Sequence, residues 1–578
     1  MAVFSETVVQ RVLSIFELRD MVLSYNDPPT NAVCARVCRA WYEPVMSLLW
    51  GQVSDLSLLF GLLGPLWQCD EQEYGGFSAY HIPGPQDWET FLRNGKRVRS
   101  LVYDTTRKTS KIIRTELFDV VARTRTRLKI LPCLKELTWI TNDYEQLDAS
   151  ILFMHGGVSK LVFSLPPIPE DQVVASLEKL RSFCENVISR MPELAHLDIR
   201  VRGSPVSIRS FEPFVLELIG GLPKLEIITL PNYWITTEVL NEVSKLQNLA
   251  VLQYEDTRAQ GEGLRSDVES LFPIFDEGAF PSLWDLSLST RLSSLTGVLN
   301  SPYAPSHLTT LAVHSLVMET ATAIQQFFEA LAQSCQGLQD LYVVAIDVTS
   351  PLRQSEERIT LRTIEPLFGC TRIKTFELMH EYPMSMYQED MEVIATKWPL
   401  LENLKLDSEP FSAEKSPLTL RALLPFATHC PNLQFLGLYV DATTADLPSS
   451  APPFRRLRRL SLGLSSVQEP GPVTIFLARV CPLGCRIESG ATWAARWDAD
   501  GWEEFGEQTG CQEGLREWGR RCAIWEEVDR MVPLVVKARM DDRSRMVEMR
   551  KKIYDLEARN SVLEDGGDMI KDNGCIIC

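Results

Sequence analysis

The chain has 578 residues, 45% apolar and 23% charged, the balance of a folded soluble protein rather than a disordered one. Its net charge of −18 excludes generic nucleic-acid binding, which needs a basic face to displace phosphate counterions. No stretch reaches the ~20 apolar residues of a membrane helix, and Met1 to Glu6 lacks the order of a signal peptide. The fourteen cysteines are therefore expected as reduced thiols in the cytosol or nucleus.

Residues 12–53 read as three short helices. Ile15, Leu18, Met21 and Val22 recur at helical spacing, and Asp27-Pro28-Pro29-Thr30 ends one helix and caps the next. Val33, Val37 and Trp41 continue the apolar stripe, which Val45, Leu48 and Leu49 close. Residues 54–97 form a connector: helical from Leu56 to Leu63, irregular and rich in Gly, Pro, Tyr and Gln to Pro85, then a short helix opened by Trp88 and Phe91.

From 98 to 487 a unit of the form L-x-x-L-x-L recurs, as in Leu194-Ala-His-Leu197-Asp-Ile199 and Leu338-Gln-Asp-Leu341-Tyr-Val343. Thirteen copies start at 98, 134, 158, 194, 225, 249, 283, 308, 338, 373, 401, 433 and 457. Their mean interval of about 30 residues is slightly above the upper end of leucine-rich-repeat periods. Strand-like units alternate with amphipathic helices such as 170–190 and 321–334, and Pro or Cys precedes many strands (Pro192, Pro223, Cys335, Cys430-Pro431). The expected fold class is α/β, a leucine-rich-repeat solenoid of about 13 irregular repeats in a horseshoe. Such an array buries its leucines between strands and presents the intervening residues as a binding surface.

Cys485-Arg-Ile487 reads as a degenerate capping strand. Residues 497–535, with Trp497, Trp502, Trp518 and Trp525, read as a helical cap over the solenoid's open end. Residues 538–564 read as a charged helix with a heptad seam (Met546, Met549, Ile553, Leu556, Asn560, Leu563). Six positions fall short of three heptads, too few for a stable dimer from this element alone, and the expectation is a solvated helix. Residues 565–578 read as a flexible tail.

The segment from Ser14 to Thr30, followed by Val37-Cys38-Arg-Ala-Trp41 and Leu49-Trp50, resembles an F-box. With Asp87-Trp88-Glu-x-Phe91 and the repeats that follow, the chain is similar to the large fungal F-box/leucine-rich-repeat proteins. It departs from that pattern at Phe16, where the family usually has Pro, and at Asn26, where it usually has Leu. The resemblance implies a substrate-recognition subunit of a cullin–RING (SCF-type) ubiquitin ligase, in which the F-box binds the adaptor and the repeats hold a protein substrate. It places the adaptor face at Leu18, Met21, Val22, Pro28, Pro29, Val37, Cys38 and Trp41, and it implies a cullin as the indirect partner. Two readings compete with this: the helices simply cap the solenoid, or the chain is a leucine-rich-repeat interaction scaffold with a degenerate F-box. Outside such a ligase the chain is expected as a monomer.

By strand alternation, the residues flanking the middle leucine point to the concave face. Acids outnumber bases there, which favours a basic or neutral substrate segment. Tyr342, Met379, Phe435 and Tyr439, with Asp407, are candidate substrate-binding residues, four of them forming an apolar anchor. No phosphate-loop, serine-hydrolase, dinucleotide or H-E-x-x-H motif occurs, and the seven histidines are dispersed without metal-ligand spacing. The expectation is therefore no enzyme activity, no cofactor and no metal. The final Cys575-Ile-Ile-Cys578 has the C-a-a-X layout of a prenylated terminus, lacking a usual last residue and a polybasic neighbour. Prenylation at Cys575 would make the protein membrane-peripheral, and an ordinary exposed tail is the alternative.

Overall fold

The computed structural model describes residues 15–69, 76–79, 82–107, 111–168, 173–254, 259–347, 357–410, 414–443, 452–491 and 512–571. The chain divides into two compact units: Met1–Thr290 with Gly297–Leu308, and Arg291–Thr296 with Thr309–Cys578.

The first unit opens with three helices, α1 (Phe16–Ser24), α2 (Pro28–Cys34) and α3 (Arg39–Gly51). A short strand β1 (Gln52–Val53) follows, then an antiparallel pair, β2 (Leu66–Cys69) and β3 (Gly76–Ala79). The repeats supply β4 (Ser100–Asp104), β5 (Glu136–Ile140), β6 (Lys160–Leu165), β7 (His196–Val201), β8 (Ile227–Leu230), β9 (Val251–Tyr254) and β10 (Asp285–Ser289). These seven strands and β1 form one parallel ladder in the order β1-β4-β5-β6-β7-β8-β9-β10.

The second unit holds β11 (Thr310–His314), β12 (Asp340–Ala345), β13 (Thr375–His380), β14 (Asn403–Leu406), β15 (Phe435–Leu438), β16 (Arg459–Gly463) and β17 (Arg486–Ser489). Each pairs in parallel with the next.

All thirteen L-x-x-L-x-L units hold a strand, starting two residues after the first apolar position. The middle positions fall in register: Leu101, Leu137, Leu161 and Leu197 in one unit, Leu341, Phe376, Leu404 and Leu436 in the other. A repeated turn produces that alignment. The first apolar N–H donates to the carbonyl three residues earlier, as in Leu194 to Met191, Leu338 to Cys335 and Leu433 to Cys430. The turn ends most of the crossovers and delivers the leucine to the interior, where Leu194, Leu338 and Leu433 are buried. Truncating such a side chain to Ala removes transfer energy and leaves a cavity, together ~2–5 kcal/mol. The cysteines before the strands serve the same turn: the Cys430 Sγ donates to the Ala395 and Trp398 carbonyls at 3.6 Å.

Four features differ from the sequence expectation. The connector contains the β2–β3 hairpin, and β1 adds a strand ahead of the first repeat, because Arg99 N–H bonds the Gly51 carbonyl and starts the ladder early. The cap and the charged helix are one continuous 60-residue helix, Gln512–Lys571, running through Pro533. Val532 and Val536 on either side of that proline are buried, so packing holds a helix where local propensity favours a break. The same helix runs through Gly566-Gly567 to Lys571, which shortens the tail. An established ladder adds one hydrogen bond per residue, and this offsets the glycine penalty.

Candidate functional site

Two surfaces follow from the expectations above. The first is built by α1–α3. Asp27 accepts a hydrogen bond from Thr30 N–H at 2.9 Å and caps α2, and Pro28 occupies the first turn, where its missing N–H costs nothing. Bonding to Thr30 holds the Asp27 carboxyl below its ordinary pKa. Among the described residues of α1–α3, only Leu23 and Val45 bury apolar side chains, beside the polar Arg19 and Asn31. Arg19 donates to the Ala40 carbonyl at 3.1 Å, and Asn31 donates to the Leu23 carbonyl at 3.0 Å. Asn26 donates to the Asn31 side-chain oxygen at 3.3 Å, so this departure from the family pattern has a local role. Phe16 is exposed, with the Arg19 guanidinium 5.0 Å over its ring. Buried Arg97 reaches Glu43 at 2.6 Å and ties α3 to the segment before the first repeat.

Of the eight residues assigned to the adaptor face, Leu18, Met21, Val22, Pro28, Pro29, Val37 and Cys38 are exposed, and Trp41 is half-buried. Ile15, Tyr25 and Val33 join them. Exposed apolar side chains at this density mark an interaction surface more often than a bare one.

The second surface is the outward side of β12–β17. Across it run the aligned positions Tyr342, Glu377, Lys405, Gly437, Ser461 and Glu488. Tyr342 is half-buried, whereas Met379, Asp407, Phe435 and Tyr439 are buried. The expected apolar anchor of Tyr342, Met379, Phe435 and Tyr439 is therefore not exposed as a set: three of the four are buried, and neighbouring groups cover Phe435 and Tyr439. The Arg459 guanidinium lies 4.8 Å over the Phe435 ring. The Tyr439 hydroxyl donates to the Glu414 carbonyl at 2.6 Å and accepts from Arg521 at 3.4 Å.

Asp407 has a left-handed backbone (φ 42°), and one carboxylate oxygen accepts from His380 N–H at 3.0 Å. Its other oxygen has no hydrogen-bond partner among the described residues. Burial holds this carboxyl well above its ordinary pKa. A cavity of about 10 Å³, lined by Met384, Met386, Asp407, Ser416 and Tyr439, adjoins it, which is room for about one water. Lys405 and Glu409 form a buried ion pair at 2.6 Å. Burial also raises the Glu377 carboxyl. The face is thus inlaid with buried ionisable groups, of which Lys405 and Glu409 compensate each other.

Sequence reasoning missed the loops that cross these strand ends. In the second unit the chain after Asp407 reaches β16, where Leu464 N–H donates to the Ser408 carbonyl at 3.1 Å. A Cβ at Gly463 (φ 49°) would overlap that carbonyl. In the first unit Val201 N–H donates to the Gln260 carbonyl, and a Cβ at Gly261 (φ 82°) would overlap the Val201 carbonyl. The two glycines were the available signal, since only glycine takes that conformation at such close approach. Trp497, Trp502 and Cys575 lie outside the described residues. Among the described residues no cluster of His, Cys, Asp and Glu is arranged to hold a metal, and no helix is long and apolar enough to cross a membrane.

No protein-family model matches the sequence, and a comparison with curated proteins finds no match either. Among solved structures the chain is similar to the crystal structure of the Rad7 and Elc1 complex in yeast, at 14% identity over 82% of this chain and 92% of that one, with a TM-score of 0.34. It is also similar to a Bacteroides fragilis structural-genomics target, at 14% identity over 46% and 75%, with a TM-score of 0.26. Scores this low carry no argument, and the repeat architecture rests on the strands and their register.

Proposed function

We propose that this chain is the substrate-recognition subunit of a cullin–RING ubiquitin ligase: α1–α3 dock on the adaptor, and the repeats hold a protein substrate. The observation that supports this most is the outward apolar face of α1–α3, set over an interior held by Arg19 and Asn31 rather than by a core of its own. A module that small gains its stability from a partner surface. On this reading the chain carries no catalysis or cofactor itself and works in the cytosol or nucleus. Substrate contact falls to the accessible outward positions, Tyr342 and Arg459 first.

The test is co-purification of the adaptor and cullin with the full chain and with Met21→Glu and Val37→Asp variants. Recovery with the unaltered chain and loss with both variants is the expected result. Recovery of neither protein by the unaltered, folded chain would overturn the reading in favour of a scaffold without ligase contact.

A further inference from the structure

Beyond Val536 the C-terminal helix leaves the body of the second unit, and every described residue from Lys537 to Ser561 is exposed. Its last described tie is the hydrogen bond from Arg539 to the Ala478 carbonyl at 2.6 Å. Past that point Met546, Met549, Ile553 and Leu556 are each more than half exposed. With Asn560 they follow an alternating spacing of three and four residues, which is the a and d seam of a coiled coil. A stripe of that length on a bare helix wants a partner.

We propose that this seam pairs with the same segment of a second copy of the chain, as a parallel two-stranded coiled coil. Three observations select that occupant and direction. Asn560 falls at an a position, where a single Asn favours two strands in register because the two amides face each other. Lys552 falls at a g position and would meet Glu557 of the second copy at e, and the spacing repeats in sequence for Arg559 and Glu564. Arg545 and Arg550 oppose this pairing only at the end nearest the body. An antiparallel arrangement with the same seam overlapped would instead set Asn560 against Met549 and Lys552 against Arg559, leaving only Arg550 and Glu557 as an attractive pair. The third observation concerns anchoring: Trp518, Trp525, Val528 and Val532 are buried against the unit, so the helix is already nucleated before it pairs.

That last point separates this helix from a free peptide, for which so short a seam is insufficient. The body leaves the seam open. An α-helix drifts about 20° per heptad against a 3.5-residue repeat, so the seam around Ile553 lies roughly a quarter turn from the side carrying Trp525 and Val532. The paired area is near the low end of specific interfaces, ~1,000 Å², and the dimer is therefore concentration-dependent. It departs from the monomer expected from seam length alone, and it is independent of adaptor binding.

The test is sedimentation equilibrium of the full chain over a concentration series, beside Ile553→Asp, Lys552→Glu and the double variant Lys552→Glu with Glu557→Lys. The unaltered chain should pass from monomer to dimer, and Ile553→Asp should weaken the dimer at least ~tenfold by placing a charge in the seam. Lys552→Glu should weaken it less, and the double variant should restore it. Since these side chains are exposed, circular dichroism and melting temperature should stay unchanged at concentrations where every protein is monomeric. A monomer at every concentration, or a dimer indifferent to Ile553→Asp, overturns the proposal. A double variant that stays as weak as the single one overturns the parallel register.

Discussion

The N-terminal helices and the first half of the C-terminal helix both carry apolar stripes, and the protein uses them in opposite ways. In α1–α3 the stripe residues Leu18, Met21, Val22, Val33 and Val37 face outward, and polar groups fill much of the interior. In Gln512–Lys571 the residues Trp518, Trp525, Val528 and Val532 face inward. There the polar groups finish the exposed end of the ladder. Trp525 donates to the Ser465 carbonyl at 3.0 Å, Arg521 donates to the Leu464 carbonyl at 3.0 Å, and Asp529 accepts from Ile487 N–H at 2.7 Å on β17. A parallel array leaves a strand edge and an apolar end that need a lid, and this helix is the lid. Similar stripes in sequence thus mean a lid where the chain supplies the opposing surface, and an exposed apolar face where it does not.

The contrast predicts different costs for similar substitutions. Trp525→Ala should remove ~3–5 kcal/mol of stability, because a fully buried aromatic leaves a cavity and an unpaired Ser465 carbonyl. Val37→Asp should change stability by no more than ~0.5 kcal/mol while abolishing adaptor recovery. Urea melts of both variants check this, and a Val37→Asp loss as large as that of Trp525→Ala would break the comparison. Arg521→Ala should cost less, ~1–3 kcal/mol, by leaving the buried Leu464 carbonyl without its donor. A melt unchanged by Arg521→Ala would mean that the aromatic contacts alone hold the lid.

Much of this was legible because leucine periodicity is a strong signal. The spacing that puts Leu338, Leu341 and Val343 inside one strand recurs thirteen times, and each copy proved to be a strand. Register followed from repetition. What periodicity does not encode is the covering of a face. Phe435 and Tyr439 alternate outward as expected, yet Arg459, Glu414 and Arg521 close over them from distant positions. Asp407 likewise follows a strand leucine in the expected phase, but its left-handed backbone turns it inward. The separate cap and charged helix failed for a related reason. Pro533 is a local break signal, and only the burial of Val532 and Val536 overrides it.

A smaller effect tests the charged inlay of the second unit. Burial holds the Asp407 carboxyl well above its ordinary value near 3.8, so the folded chain retains a proton that the unfolded chain has lost. Stability contributed by such a group falls as pH rises from the unfolded value through the folded one. Asp407→Asn keeps the acceptor for His380 N–H, tolerates the left-handed backbone and has no proton to lose. The variant should therefore melt higher than the parent at about pH 8 and equal to it at about pH 4. A variant less stable at both values would mean that the second oxygen has a partner worth keeping. His380 acts in the opposite sense. Burial lowers its pKa, so its contribution is present above the ordinary value near 6.5 and is lost as pH falls from there through the lower folded value.

The smallest effect sharpens the N-terminal half of the comparison. Asn26 stands where the resembling family has Leu, and its amide donates to Asn31, which in turn holds the Leu23 carbonyl. Asn26→Leu removes the first link of that chain but leaves the second, so the expected stability loss is at most ~1 kcal/mol. Two outcomes for adaptor binding then carry opposite meanings. If affinity rises with the family residue, a polar side chain was weakening an otherwise competent docking face. If affinity falls with stability, the Asn26–Asn31–Leu23 network is how this chain holds α1 against α2, and the departure at Asn26 is a compensated alternative to the family's leucine. Isothermal titration of the purified adaptor with both proteins separates the two, because the first outcome changes affinity without lowering the melting temperature by more than the loss stated.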